Sequence, residues 1–294
     1  WLEACNKDHK CLRSKQNFMP LRLIQINSRD PLRRITVVHC TRAVHYAALS
    51  YCWGGSLRFK TTSHSLASVQ AGIPSEVLPQ TVQDAVSVAL ELGLQYLWVD
   101  SLCIVQDDED EMTDQIAQMA KIFEGAYITI AASQAARSSD GFLSLRNPFS
   151  LVCRVKIAHR NGENLKYGVG RPASHSFGKQ PLASRAWTLQ EIFLSRRILS
   201  FEHGHMHWYC LQDAKGNCSQ PVFKFSMYGL NPGFDGKIEL QSVSEWIEIV
   251  HQYSRRQLTY GSDKLLAISA VAEWFSRCAW GRYFAGVWEK DLLS

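Results

Sequence analysis

Apolar residues follow two alternating rhythms along the chain. Residues 21–26 and 35–40 are short apolar runs parted by Arg29-Asp30-Pro31, and they read as strands of an N-terminal preface, residues 1–45. Residues 46–53 (YAALSYCW) form a continuous apolar run closed by Gly54-Gly55, the pattern of a strand buried on both faces. Pro79 then opens a helix with Val82, Ala85, Val86, Ala89 and Leu90 at helical spacing, and Gly93 stops it. A second buried strand, residues 96–100, ends on Asp100. The acidic stretch 107–111 suits a helix N-terminus. The helix that follows, 109–124, presents Ile116, Met119, Ala120 and Phe123 on one face, with Asp110, Asp114 and Lys121 turned to water. Residues 127–132 give a third buried strand.

This strand–helix alternation predicts an α/β fold with a doubly wound, mostly parallel sheet of the flavodoxin-like kind. Its core spans residues 46–210. Residues 134–183 interrupt the rhythm with Gly, Ser, Asn and Pro around two strand-like pieces, 151–157 and 165–169, and read as an inserted hairpin region. A short helix (184–194) and two strands (197–201, 205–209) follow. Residues 211–294 form a linker and a C-terminal helical extension, with amphipathic helices near 243–256 and 262–277.

Composition narrows the function classes. Of 294 residues, 46% are hydrophobic and 20% charged, which excludes a disordered or fibrous chain. The net charge of +5 is dispersed, and its densest basic runs are pairs such as Arg33-Arg34, so no nucleic-acid partner is expected. No apolar run reaches the ~20 residues of a membrane span. Residues 1–5 (WLEAC) lack a secretory signal, although the missing initiator Met leaves a lost leader open. Nine irregularly spaced Cys, several inside apolar runs, point to reduced thiols and a cytoplasmic protein.

Open α/β sheets bind ligands at the carboxyl ends of their strands. That singles out Ser50, Tyr51, Cys52 and Trp53 on the first core strand, and Asp100, Ser101 and Cys103 on the second. Gly54 would let backbone approach a phosphate, and Trp53 or Trp187 would stack on a base. The competing reading makes these aromatics core residues and Asp100 a cap of its own loop. Two groups raise the question of a metal. His203, His205 and His207 alternate on one strand with Cys210 nearby, and Cys5, His9 and Cys11 lie close together near the N-terminus. The His run lacks a clear fourth ligand and suits a solvated hairpin face, the Cys5-His9-Cys11 spacing is weak for a metal, and no bound metal is expected.

Residues 46–54 (YAALSYCWG), 78–81 (LPQT), 98–104 (WVDSLCI) and 186–191 (AWTLQE) resemble the fungal heterokaryon-incompatibility (HET) domain. Residues 253–258 (YSRRQL), 263–265 (DKL) and 282–289 (RYFAGVWE) resemble the region that follows it in such proteins. The resemblance implies a cytosolic trigger of programmed cell death after non-self recognition. In element order the chain also looks like a Toll/interleukin-receptor (TIR) domain, whose NAD-cleaving members carry a catalytic Glu four residues after a Trp. The matching residue is Glu191, after Trp187. About fifty residues intervene before that Trp, and no loop Gly follows Asp100, two departures from the pattern. The implied activity is NAD cleavage at the nicotinamide–ribose bond, with NAD as substrate and no further cofactor. Self-association and an upstream activating receptor domain or protein are the implied partners. The bland reading makes Glu191 an exposed helix carboxylate paired with Arg196 or Arg197. The alternative function is a non-catalytic death-signalling module that self-associates and recruits partners.

Overall fold

A computed structural model describes residues 1–11, 18–27, 34–55, 59–143, 153–157, 166–170, 180–202, 205–212, 214–216, 243–276 and 282–289. A seven-residue helix, α1 (Leu2–Asp8), leads into the antiparallel pair β1 (Arg22–Ile26) and β2 (Ile35–His39). The core follows with β3 (Ala47–Ser50), α2 (Leu66–Ala71), α3 (Gln80–Glu91), β4 (Tyr96–Trp98), the single turn α4 (Asp100–Cys103), α5 (Glu109–Gly125) and β5 (Ile128–Ala131). The inserted hairpin is β6 (Cys153–Ile157) against β7 (Lys166–Gly170), antiparallel as the sequence suggests. Next come α6 (Thr188–Leu194), β8 (Arg197–Glu202), β9 (His205–Cys210) and β10 (Ala214–Gly216). Helices α7 (Val243–Ser254) and α8 (Leu266–Ser276) and the small hairpin β11 (Tyr283–Phe284) and β12 (Val287–Trp288) complete the described chain.

Eight strands form one sheet in the order β10-β9-β8-β5-β3-β4-β1-β2. The central four pair in parallel, with Ala47 opposite Leu97, Leu49 opposite Ile130, and Ile130 opposite Leu199. The antiparallel strands are additions at both flanks: the preface hairpin joins through β1 on β4, and β9 and β10 continue beyond β8. Among the parallel strands the chain order is second-first-third-fourth, that of flavodoxin-like doubly wound sheets. Right-handed crossovers from β3 to β4 and from β4 to β5 run in opposite directions, which leaves α3 and α5 on opposite faces. All four residues of β3 and of β5 are buried, as the continuous apolar runs require.

Helix α5 is capped by Asp108, whose side chain accepts from the Glu111 backbone N–H at 3.0 Å. Its buried face is Gln115, Met119, Ile122 and Phe123, while Ile116 and Ala120 are only half-buried. The covered stripe is therefore rotated by about one position from the one periodicity predicts. Asp110, Asp114 and Lys121 do face water. A second apolar cluster, centred on Trp246, Phe275 and Trp288, binds α6 to α7, α8 and the terminal hairpin. The Trp246 and Trp288 rings meet edge-on with centroids 5.7 Å apart. Among the described residues no helix is long and apolar enough to cross a membrane. The linker 217–242 and His203 lie outside the described residues.

Candidate functional site

The strand order reverses between β3 and β5, and at such a point doubly wound sheets take ligands at the carboxyl ends of their strands. Ser50 ends β3 there. Helix α6 passes beside it, and six of its seven residues are buried because the sheet, α5 and α8 surround it. Glu191 lies in its first turn and is 4% exposed. Ser50 Oγ donates to Glu191 Oε2 at 2.5 Å. The exposed-carboxylate reading is thereby corrected: Arg196 pairs instead with Glu124 at 3.3 Å, and Arg197 is buried beside Cys210 on the β8–β9 ladder.

Burial pushes the Glu191 carboxyl up to about 7, opposed by the Arg185 guanidinium and by the Ser50 hydrogen bond. The Asp100 charge adds to the rise, and Arg256 counters it. Asp100 is itself raised by burial, again against Arg185. One guanidinium thus sits in the field of two desolvated carboxyls. Arg185 Nη1 also donates to the Tyr51 carbonyl, which fixes it across the end of β3.

Most of the residues expected at the mouth are joined to one another. Tyr51 donates its hydroxyl to Ser101 Oγ at 2.9 Å, and Trp53 Nε1 donates to Asp100 Oδ2 at 2.9 Å. Asp100 Oδ1 also accepts from the Ser101 backbone N–H at 2.7 Å, so the carboxyl is held at the first residue of α4 while it orients the Trp53 indole. Tyr51 is buried and Trp53 half-buried, one core-like and one lining. Cys52 is buried, and desolvation raises its thiol to about 11, which makes it a poor nucleophile. Gly54 has φ +75°, and a Cβ there would lie 2.4 Å from Arg137. It is a close-approach glycine, set against Arg137. Trp187 turns toward the C-terminal region, where its Nε1 donates to Asp263 Oδ2 at 3.3 Å.

Arg185 has no place among the expected site residues, and Arg256 and Asp263 stand in the resemblance stretches 253–258 and 263–265 without a site role. Arg185 stands next to the AWTLQE stretch but carries no periodic or motif signal of its own. Arg256 comes from the end of α7, and its Nη1 donates to the Arg185 carbonyl at 3.2 Å and to Thr188 Oγ1 at 3.0 Å. At the opposite, amino end of β3 and β5, a groove of about 410 Å³ is lined by Val44, His45, Glu124, Tyr127 and Arg196 among others. None of the expected site residues lines it. Of the three alternating His, His207 is buried, with Nδ1 3.1 Å from Glu202 Oε1. The solvated-face reading therefore fails at that position, where an inward carboxylate replaces water.

Residues 46–191 match the family model described as Heterokaryon incompatibility protein (HET). The match ends on Glu191 and includes Ser50, Asp100 and Arg185, whereas Arg256 and Asp263 lie beyond it. No curated protein matches, and no solved structure does.

Proposed function

Because the chain carries a heterokaryon-incompatibility domain over residues 46–191, and with it a part in incompatibility cell death, we propose that it kills by cleaving NAD at the nicotinamide–ribose bond. The observation that carries this reading is the Ser50–Glu191 pair, a desolvated carboxyl at the switch point of a doubly wound sheet, with Asp100 a second buried carboxyl in its field. Breaking the C1′–N bond sends the electron pair to the pyridinium nitrogen, so nicotinamide leaves neutral and needs no proton. Positive charge develops on the ribosyl group, and a fixed carboxylate stabilises it. Water, or an adenine nitrogen in a cyclisation, then bonds to C1′.

In this scheme Glu191 holds the ribose hydroxyls, and the Ser50 hydroxyl keeps the carboxylate ionised and aimed. Asp100 orients Trp53 for stacking on a base. Arg185 lowers both carboxyls toward their charged forms. The protein would work in the cytoplasm, under an upstream receptor domain or protein.

The low exposure of Glu191 favours the second reading, a non-catalytic module in which Glu191 is structural and killing follows from self-association. Exposed apolar residues in the C-terminal region, among them Ile247, Leu265, Leu266 and Phe284, would supply the contact. Incubating the purified chain with NAD and measuring free nicotinamide separates the two. Turnover is expected, with Glu191→Gln reducing it by ~10²-fold or more. A folded Glu191→Gln protein that leaves NAD intact and kills as well as wild type would end the enzymatic reading.

A further inference from the structure

From the N-terminal helix and the β8–β9 hairpin we infer a second site unconnected with NAD: a structural zinc centre formed by Cys5, His9, Cys11 and Cys210. The three N-terminal donors are close in sequence, and the fold adds the fourth from nearly two hundred residues away. All four ligand atoms lie within 4.8 Å of one another. Cys5 Sγ is 3.6 Å from Cys11 Sγ, and Cys210 Sγ is 3.3 Å from His9 Nδ1. Tetrahedral zinc with Zn–S of ~2.3 Å and Zn–N of ~2.0 Å needs donor separations of ~3.5–3.8 Å, close to those found. Three thiolates and one imidazole with no open position make a closed, structural set. The sequence alone groups Cys210 with the alternating His, apart from the other three donors, and no metal is expected from it.

Local structure explains how short-range order presents them. Cys5 and His9 are four residues apart, and the His9 backbone N–H bonds the Cys5 carbonyl at 3.1 Å, which sets His9, the residue that ends α1, one turn beyond Cys5. Cys5 and Cys11 are buried, and His9 and Cys210 half-buried. A seven-residue helix is too short to hold itself. Apart from this cluster it is tied down by Asn6, whose Nδ2 donates to the Tyr127 hydroxyl at 2.8 Å.

An independent observation comes from Arg197. It sits directly opposite Cys210 in the β8–β9 ladder, on the same face. It is 1% exposed, its guanidinium lies 5.0 Å over the Tyr127 ring, and among the described residues its Nε and Nη1 have no hydrogen-bond partner. A buried guanidinium needs a counter-charge. Zinc with three thiolates and a neutral imidazole carries a net charge of −1, which supplies one. The centre would staple residues 1–11 to the outer hairpin of the sheet, away from the Ser50–Glu191 pair.

The test uses the full chain purified under reducing conditions from zinc-replete culture. Elemental analysis should find about one zinc per chain. After the metal is stripped, cobalt(II) titration should give the ligand-field and sulfur-to-cobalt bands of a tetrahedral thiolate site. Cys210→Ser should lose the zinc, while Cys40→Ser, remote from the cluster, should keep it. The cobalt spectrum of wild type needs no variant, so a misfolded Cys210→Ser does not blunt the test. Folded, reduced wild type without metal and with a featureless cobalt spectrum would overturn the inference. So would zinc retained in full by Cys210→Ser, or a Cys5–Cys11 disulfide in the reduced preparation.

Discussion

At neutral pH the Glu191 carboxyl is about half ionised, because burial has moved it from 4.5 to about 7. Between those two values the folded chain holds a proton that the unfolded chain has released. Folding stability therefore falls as pH rises through this window and is level above it, a loss of up to ~3 kcal/mol. Glu191→Gln removes the titration and keeps an acceptor for Ser50. Urea unfolding should show the variant more stable than wild type by ~2–3 kcal/mol at pH 8, with little difference at pH 5. Equal stabilities at pH 8 would mean that the carboxyl is not desolvated. A residue that weakens its own fold at working pH fits a site held for chemistry. That Glu191 is a candidate was legible from its place after Trp187. That it is enclosed was not, since enclosure depends on α8 and on Arg185, which share no pattern with it.

For elements, α5 shows what periodicity can and cannot resolve. Its cap at Asp108, its acidic first turn and its exposed Asp110, Asp114 and Lys121 are all readable, because each is local chemistry. The precise buried face is not. The helix meets the sheet on one side and α6 on another, and those neighbours decide that Gln115 and Ile122 are covered and Ile116 only partly so. Met119 lies in the shared part of both stripes and is 7% exposed. Met119→Ala should cost ~2–4 kcal/mol in chemical denaturation, from lost transfer energy and the cavity left behind. A loss below ~0.5 kcal/mol would show that the site collapses around the smaller side chain. Cys210 teaches the complementary lesson: Cys5, His9 and Cys11 are neighbours in sequence with weak metal spacing, and the fold brings Cys210 to them.

Across the whole molecule, the parallel centre was legible and the flanks were not. Four buried apolar runs separated by helices admit few arrangements, and right-handed crossovers select the one observed. Nothing local in residues 22–39 indicates that they pair with β4, or in 197–216 that the sheet continues through β9 and β10, because antiparallel additions depend on which edge is bare. The segment matching the family model, 46–191, contains only β3, β4 and β5 of the main sheet, with the inserted hairpin apart. Its borders follow sequence similarity, not hydrogen bonding.

Those flanking strands decide whether the domain is portable. Cut out at 46–191, the sheet would lose β1 from one side of β4 and β8 from one side of β5, leaving two raw edges of unpaired backbone on largely buried strands. The excised segment should be insoluble or self-associated on size-exclusion chromatography, whereas a piece retaining residues 1–294 should elute as a folded species. A monodisperse, cooperatively unfolding 46–191 fragment would refute this. It follows that gene fusions and recombination events joining this module to new partners can succeed only when the break falls outside the flanks, so its inheritance as a unit is wider than its recognisable sequence.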